Sequence, residues 1–191
     1  MTRQFFLGTV VLLIAFLSAC GSKIDSNMSR EVHSLKATNQ SDEPINIKEH
    51  IQGEYVIADF IFTNCNTVCP PMTGNMSRLQ QLIKDENLDA KLVSFSVDPE
   101  RDTPKQLKQF AEPYQPDYEM WDFVTGYSFK DIKEFSIKSF QSPLEKDETS
   151  DQMFHGTSFY LINPEGEVIK RYNGQEAEEM QNIVDDLNQV Q

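Results

Sequence analysis

Apolar and polar positions divide the chain into segments of different period. From Phe5 to Leu17 the side chains are almost all apolar, a run too short to span a bilayer comfortably as a permanent helix. From Tyr55 to Phe62 the run is again nearly unbroken, which predicts a central strand buried on both faces. Met72, Met76, Leu79, Leu82 and Ile83 then recur at helical spacing behind Pro70 and Pro71, residues suited to a helix start. Leu92–Val97 reads as a second strand. Thr103 and Gln106 form a capping box with Pro104 at the first helical position, so another helix begins there. A third helix is expected from Ser128, with Ile132, Phe135, Ile137 and Phe140 as its apolar positions. Residues 141–152 are acidic and poor in apolar side chains, and read as a mobile loop. Thr157–Ile162 and Val168–Tyr172 flank a turn at 163–167 and predict a hairpin. The final helix is expected at about 177–189. Strand, helix, strand, then hairpin and helix is the order of an α/β, thioredoxin-like fold with inserted segments. The order alone leaves other α/β arrangements open.

The first apolar run changes meaning once its ends are read. Arg3 precedes it, and Leu17, Ser18 and Ala19 lead directly into Cys20. That is a lipoprotein signal, residues 1–19 being removed and Cys20 acylated, palmitate included. The competing reading is an uncleaved anchor with an incidental cysteine. Both place the domain outside the cytoplasm, and the first puts it on the extracytoplasmic face of a bacterial cell membrane. Residues 20–44 are then the lipidated cysteine and a flexible tether, and 45–191 one domain with a sizeable core. Seventeen basic against 30 acidic residues, a net charge of −13, argue against a nucleic-acid partner and against adhesion to anionic lipid by charge. Lipid must supply the attachment.

Of three cysteines, lipidation consumes Cys20 and leaves Cys65 and Cys69, four residues apart where a loop feeds a helix. If that stretch is helical, both sulfurs face one side, and the helix N-terminus favours the thiolate of each. Such a pair can clamp a soft metal or cycle through a disulfide. A static disulfide staple would close almost no loop and gain little. The sequence holds three histidines, His33, His50 and His155. His155 precedes the strand at Thr157, which a thioredoxin-like sheet brings near the cysteines, whereas His33 and His50 lie in polar surroundings. Two thiolates and one imidazole suit copper in either Cu(I) or Cu(II) form, while structural zinc usually takes four protein ligands. Asp59 interrupts the first strand six residues before Cys65. It either tunes the site or is satisfied by backbone donors. Asp98 and Asp102 are expected to shape the turn and the helix start after the second strand.

Three stretches resemble the Sco/SenC family: Asp59–Met72 with its CxxxCP core, Ser96–Pro104, and His155 ahead of Phe159–Ile162. The resemblance runs from about Ile45 to the C-terminus. It implies a thioredoxin-like fold and copper held by Cys65, Cys69 and His155. It also implies a metallochaperone role in assembling the CuA centre of cytochrome c oxidase, with the CuA-bearing subunit as partner. The alternative is a thiol–disulfide oxidoreductase that keeps the CuA cysteines reduced. Either role requires a reductant protein for the Cys65–Cys69 pair. A three-residue spacer between the cysteines, and His155 and Gly156 where thioredoxin-type reductases carry a proline, favour the copper role over an enzymatic one.

Overall fold

The computed structural model describes residues 24–191; Cys20 and the Phe5–Leu17 run lie outside them. Strands β1 (Arg30–Glu31), β2 (Lys36–Asn39) and β3 (Pro44–Asn46) and the single turn α1 (Ile47–His50) come first. Then follow β4 (Tyr55–Ile61), α2 (Cys69–Asp85), β5 (Ala90–Ser96), α3 (Pro104–Ala111), β6 (Trp121–Thr125), α4 (Phe129–Phe140), β7 (Leu144–Lys146), β8 (Met153–His155), β9 (Ser158–Ile162), β10 (Glu167–Asn173) and α5 (Glu179–Asn188). Eight strands form one sheet in the order β1-β10-β9-β4-β5-β6-β2-β3, and β7 pairs with β8 separately. β4, β5 and β6 are parallel, and β9 runs antiparallel to β4. This is the thioredoxin-like α/β arrangement expected, with its C-terminal hairpin and helix.

β4 reads as an apolar run because it sits between β5 and β9 and is covered on both faces. Side chains alternate across a strand. Phe60 therefore faces the aromatic cluster of Phe95, Phe135, Phe140 and Tyr160, with ring centroids 5.0–6.2 Å apart. Ile57, Asp59 and Ile61 point to the opposite face. Right-handed crossovers β4–α2–β5 and β5–α3–β6 advance the same way across the sheet and bring α2 and α3 to that side. There α2 packs against α5, and its Ser77 hydroxyl donates to the Tyr114 carbonyl at 2.7 Å. The expected capping box forms at Thr103 with Gln106, and a second, not foreseen, forms at Ser128 with Asp131.

Three expectations need correction, and one strand was not foreseen. The segment 20–44, expected as a flexible tether, is packed on the domain from residue 24 and joins the sheet from Arg30: β1 pairs with β10 and β2 with β6, and Ile24, Val32 and Ala37 are buried. Its polar composition hid this because the strands are only two to four residues long and β1, at the sheet edge, has both residues exposed. Residues 141–152, expected as a mobile loop, bury Ser142 and Leu144 and form half of the β7–β8 hairpin. Ile137 is 47 % exposed, since the buried stripe of α4 follows Ile132, Phe135, Ser136, Ser139 and Phe140. Strand β6, whose Trp121 and Phe123 stack at 4.7 Å, carried no expectation at all.

Candidate metal centre

β4 ends at Ile61, and the loop after it turns back at once. Cys65 N–H donates to the Phe62 carbonyl at 3.2 Å. Asp102 fastens this loop: its carboxylate accepts from Thr63 N–H (3.2 Å), the Thr63 hydroxyl (2.6 Å) and the Ser96 hydroxyl (2.6 Å). The role expected of Asp102, shaping its own turn, is thus the smaller part of what it does. Helix α2 begins at Cys69, so Cys65 stands one turn ahead of the helix and not within it. Cys69 N–H donates to Cys65 Sγ at 3.3 Å. Both thiols are free and buried.

His155 reaches the pair from β8. Its Nε2 lies 3.6 Å from Cys69 Sγ, and its Nδ1 is 2.9 Å from the carbonyl of Gly156. A carbonyl only accepts, so Nδ1 carries a proton and Nε2 is the nitrogen turned to the sulfurs: protonated, it donates to a thiolate; deprotonated, it offers a metal its lone pair. Edge-to-face packing on Phe62, centroids 5.7 Å apart, holds the ring plane. Gly156 lets the backbone pass close to Ser142: a Cβ there would lie 2.6 Å from Ser142 Oγ and force that hydroxyl to move. His33 and His50 lie elsewhere, His33 against Ser139 and His50 paired with Asp122 at 2.8 Å. The hairpin bearing His155 is clasped to the cysteine loop by residues that sequence reasoning missed. Asn64 donates to Asp151 (2.7 Å), Gln152 donates to the Asn64 carbonyl (3.3 Å), and Arg101 donates to the Asp151 carbonyl (3.1 Å). A signal was present in Leu144 and Met153, apolar residues flanking a turn that Asp147 closes on Thr149 and Ser150.

The two sulfurs differ electrostatically. Burial works against ionising Cys65, but hydrogen bonds from His155, Cys69 and nearby backbone outweigh it and bring the thiol down to about 6. Cys69 goes the other way, raised by burial and by its neighbour Cys65. The expectation that the helix start would favour both thiolates therefore holds for Cys65 alone. Beneath them, on the inner face of β4, Asp59 is fully buried and neither carboxyl oxygen has a hydrogen-bond partner; burial pushes it up to about 7, only weakly opposed by the Ser94 hydroxyl and His155. The alternative of backbone donors satisfying Asp59 is not what the structure shows. Asp98 is also buried and raised, chiefly by burial and by Asp102, with Arg101 at ion-pair distance, 3.6 Å. Among the described residues no three His, Cys, Asp or Glu side chains stand ready as a closed metal cage; Cys65, Cys69 and His155 form a hydrogen-bonded cluster instead. Its donor set nevertheless fits a soft metal: two sulfurs, and an imidazole nitrogen whose partner nitrogen is fixed by an outer hydrogen bond.

A family model described as SCO1/SenC matches residues 25–190. The chain belongs to the SCO1/SenC family. The match begins well before Ile45, consistent with β1 and β2 being part of the fold. The SCO1 protein homolog of Bacillus subtilis is 47 % identical over 180 residues, covering 94 % of this chain and 93 % of that one. A putative copper-binding protein of Stutzerimonas stutzeri is 36 % identical over 87 residues, 45 % of this chain and 42 % of that one. Among solved structures, a SCO1/SenC family lipoprotein from Bacillus anthracis is 42 % identical with a TM-score of 0.81, covering 86 % and 98 % of the two chains. A structure of BsSco, described as a member of the Sco family of cytochrome c oxidase assembly proteins and as having a disulfide switch, is 46 % identical with a TM-score of 0.78, over 87 % and 95 %.

Proposed function

We propose that this SCO1/SenC protein is a copper metallochaperone serving assembly of the CuA centre of cytochrome c oxidase, with Cys65, Cys69 and His155 as the copper ligands. The observation that carries the reading is the His155 ring: its Nε2 3.6 Å from Cys69 Sγ, its Nδ1 held by the Gly156 carbonyl. Thiol exchange would use the imidazole only to favour the Cys65 thiolate, whereas a copper site gains a third donor. Copper suits the two sulfurs in its Cu(I) form, and the added imidazole accommodates Cu(II). The copper-binding description of the S. stutzeri relative and the oxidase-assembly description of BsSco support the same assignment. Thiol–disulfide exchange is the second reading, favoured by the low Cys65 thiol beside a second free thiol and by the disulfide switch described for BsSco. We further assign Cys20 as the lipidation site, anchoring the domain on the extracytoplasmic face of the cell membrane, in line with the B. anthracis lipoprotein. Among the described residues no helix is long and apolar enough to cross a membrane.

Native mass spectrometry tests the site. The reduced protein should bind one copper ion, and mild oxidation should remove two hydrogens and abolish binding. Full copper occupancy in the oxidised protein would refute a shared site.

A further inference from the structure

From Ile24 onward the chain is fastened to the domain. Ile24 is 5 % exposed and Val32 1 %, and between them the chain runs along the outer edge of β10. Met28 N–H donates to the Ile169 carbonyl (3.1 Å) and Val32 N–H to the Gly166 carbonyl (2.9 Å). The Asn27 side chain takes both backbone groups of Arg171, donating to its carbonyl at 3.0 Å and accepting from its N–H at 2.8 Å. Ile24 itself lines a groove of about 790 Å³ with Tyr55, Asn163, Ile169 and Val190. Tyr55 opens β4 and Asn163 opens the β9–β10 turn, so the groove lies at the end of the sheet where β4 starts. The cysteine–histidine cluster lies at the other end, since Cys65 follows β4 and His155 precedes the antiparallel β9. The seven residues of β4 separate the two ends by about 23 Å at roughly 3.3 Å per residue.

Covalent geometry then limits the reach. Cys20 and Ile24 are four Cα–Cα steps apart in the sequence, about 15 Å at full extension. A free coil over residues 20–44 would instead have a root-mean-square span near 28 Å (about 5–6 Å × √n), enough for any orientation. The actual leash is shorter than the sheet is long. We propose that the anchored domain is held with its Ile24 end toward the bilayer and its cysteine–histidine site on the far side. Inversion, with the site against the lipid, would put Ile24 beyond the leash. The net charge of −13 offers an anionic bilayer no attraction that would pull the site down. A partner exchanging metal or electrons with this protein must therefore present its own site well above the membrane surface. The inference rests on the assignment of Cys20 as the lipidation site.

Lipid-linked labelling tests it. The full lipidated protein, with Cys65→Ser and Cys69→Ser, is given one new surface thiol, either Glu165→Cys at the groove end or Phe154→Cys beside His155; both positions are exposed. It is placed in phosphatidylcholine vesicles doped with maleimide-headed lipid. The Glu165→Cys thiol should react on the order of 10-fold faster or more, because effective concentration falls steeply when a tether cannot span the sites. Water-soluble maleimide should label both alike. Inserting ten Gly/Ser residues between Lys23 and Ile24 should close the gap. Equal lipid-linked labelling on acylated protein, or a gap untouched by the insertion, overturns the orientation. Absence of acyl groups on Cys20 by mass spectrometry overturns the anchor assignment instead, a separable result.

Discussion

At His155 one hydrogen bond sets the two ring nitrogens apart, Nδ1 holding the proton against Gly156 and Nε2 facing sulfur. Removing the ring removes the hydrogen bond that most favours the Cys65 thiolate. The alkylation rate of Cys65, which follows its thiolate fraction, should be half-maximal near pH 6 and fall as pH drops below it. His155→Ala should move that midpoint upward, and iodoacetamide kinetics by mass spectrometry would show it; an unmoved midpoint would mean the ring does not act on Cys65. The same variant should weaken Cu(II) binding more than Cu(I), because imidazole suits the harder ion better. Asp59 makes the opposite kind of prediction. Its folded carboxyl is raised from 3.8 to about 7, so the stability tied to its neutral form is complete at low pH and is lost as pH rises through the folded value. Asp59→Asn has no charge to bury. Its stability relative to the parent protein should grow by roughly 3 kcal/mol between pH 5 and pH 8, at about 1.4 kcal/mol per pKa unit. Denaturant unfolding across that range checks it, and a flat difference would mean that Asp59 has a partner in solution. Cys20 lies outside the described residues; that Cys65, Cys69 and His155 would come together was legible because each is a scarce residue type in a telling place. The inequality of the two thiols was not, since it depends on which sulfur is buried and which receives the hydrogen bonds.

Elements with strong periodicity or caps were legible, and those built from pairing were not. β4, α2, β5, α4 and the β9–β10 hairpin announce themselves through apolar runs and helical spacing, and α3 through its capping box. β1 and β2 are two and four residues long and pair with strands distant in sequence, β10 and β6, which local pattern cannot reveal, and β7 has only three residues, too few to show a period. The β7–β8 hairpin is the element with most consequence for the site. It positions His155, and its tip is held by Asn64, Arg101 and Asp151, exposed side chains whose hydrogen bonds each contribute only about 0.5–1.5 kcal/mol. Replacing Asn64 and Asp151 together by Ala should leave global stability within about 2 kcal/mol of the parent. Amide exchange over residues 147–155 should nevertheless quicken, and copper affinity should fall by roughly 10- to 100-fold, the usual cost of losing outer-shell support. Hydrogen exchange and chelator competition would measure both. Unchanged affinity with a loosened hairpin would show that the histidine finds the metal without help.

On the scale of the whole molecule, the two chemical readings share their thiols and part at the imidazole. Exchange with a disulfide needs Cys65 as the attacking thiolate and Cys69 to resolve the mixed disulfide, and both are free and adjacent. Copper transfer needs the same pair, plus a third donor that can be given up to the acceptor. If the protein matures CuA, its deletion should abolish cytochrome c oxidase activity and spare a quinol oxidase that lacks CuA. Reintroducing the His155→Ala protein then separates the readings. A pure reductase keeps both thiols, so the variant should restore oxidase activity at ordinary copper levels; the raised Cys65 midpoint would slow exchange but not remove it. A copper carrier should fail, or recover only with added copper, because two sulfurs alone hold Cu(II) poorly. A Cys65→Ser protein should fail under both readings and serves as the baseline. Anchoring through Cys20, as proposed, would keep the local concentration of the domain high beside a membrane-bound oxidase, so even a weakened carrier would meet its acceptor often. Loss of rescue in His155→Ala would therefore report on the metal site rather than on encounter. Full rescue at ordinary copper would leave thiol exchange as the function, with the histidine reduced to setting the Cys65 thiolate.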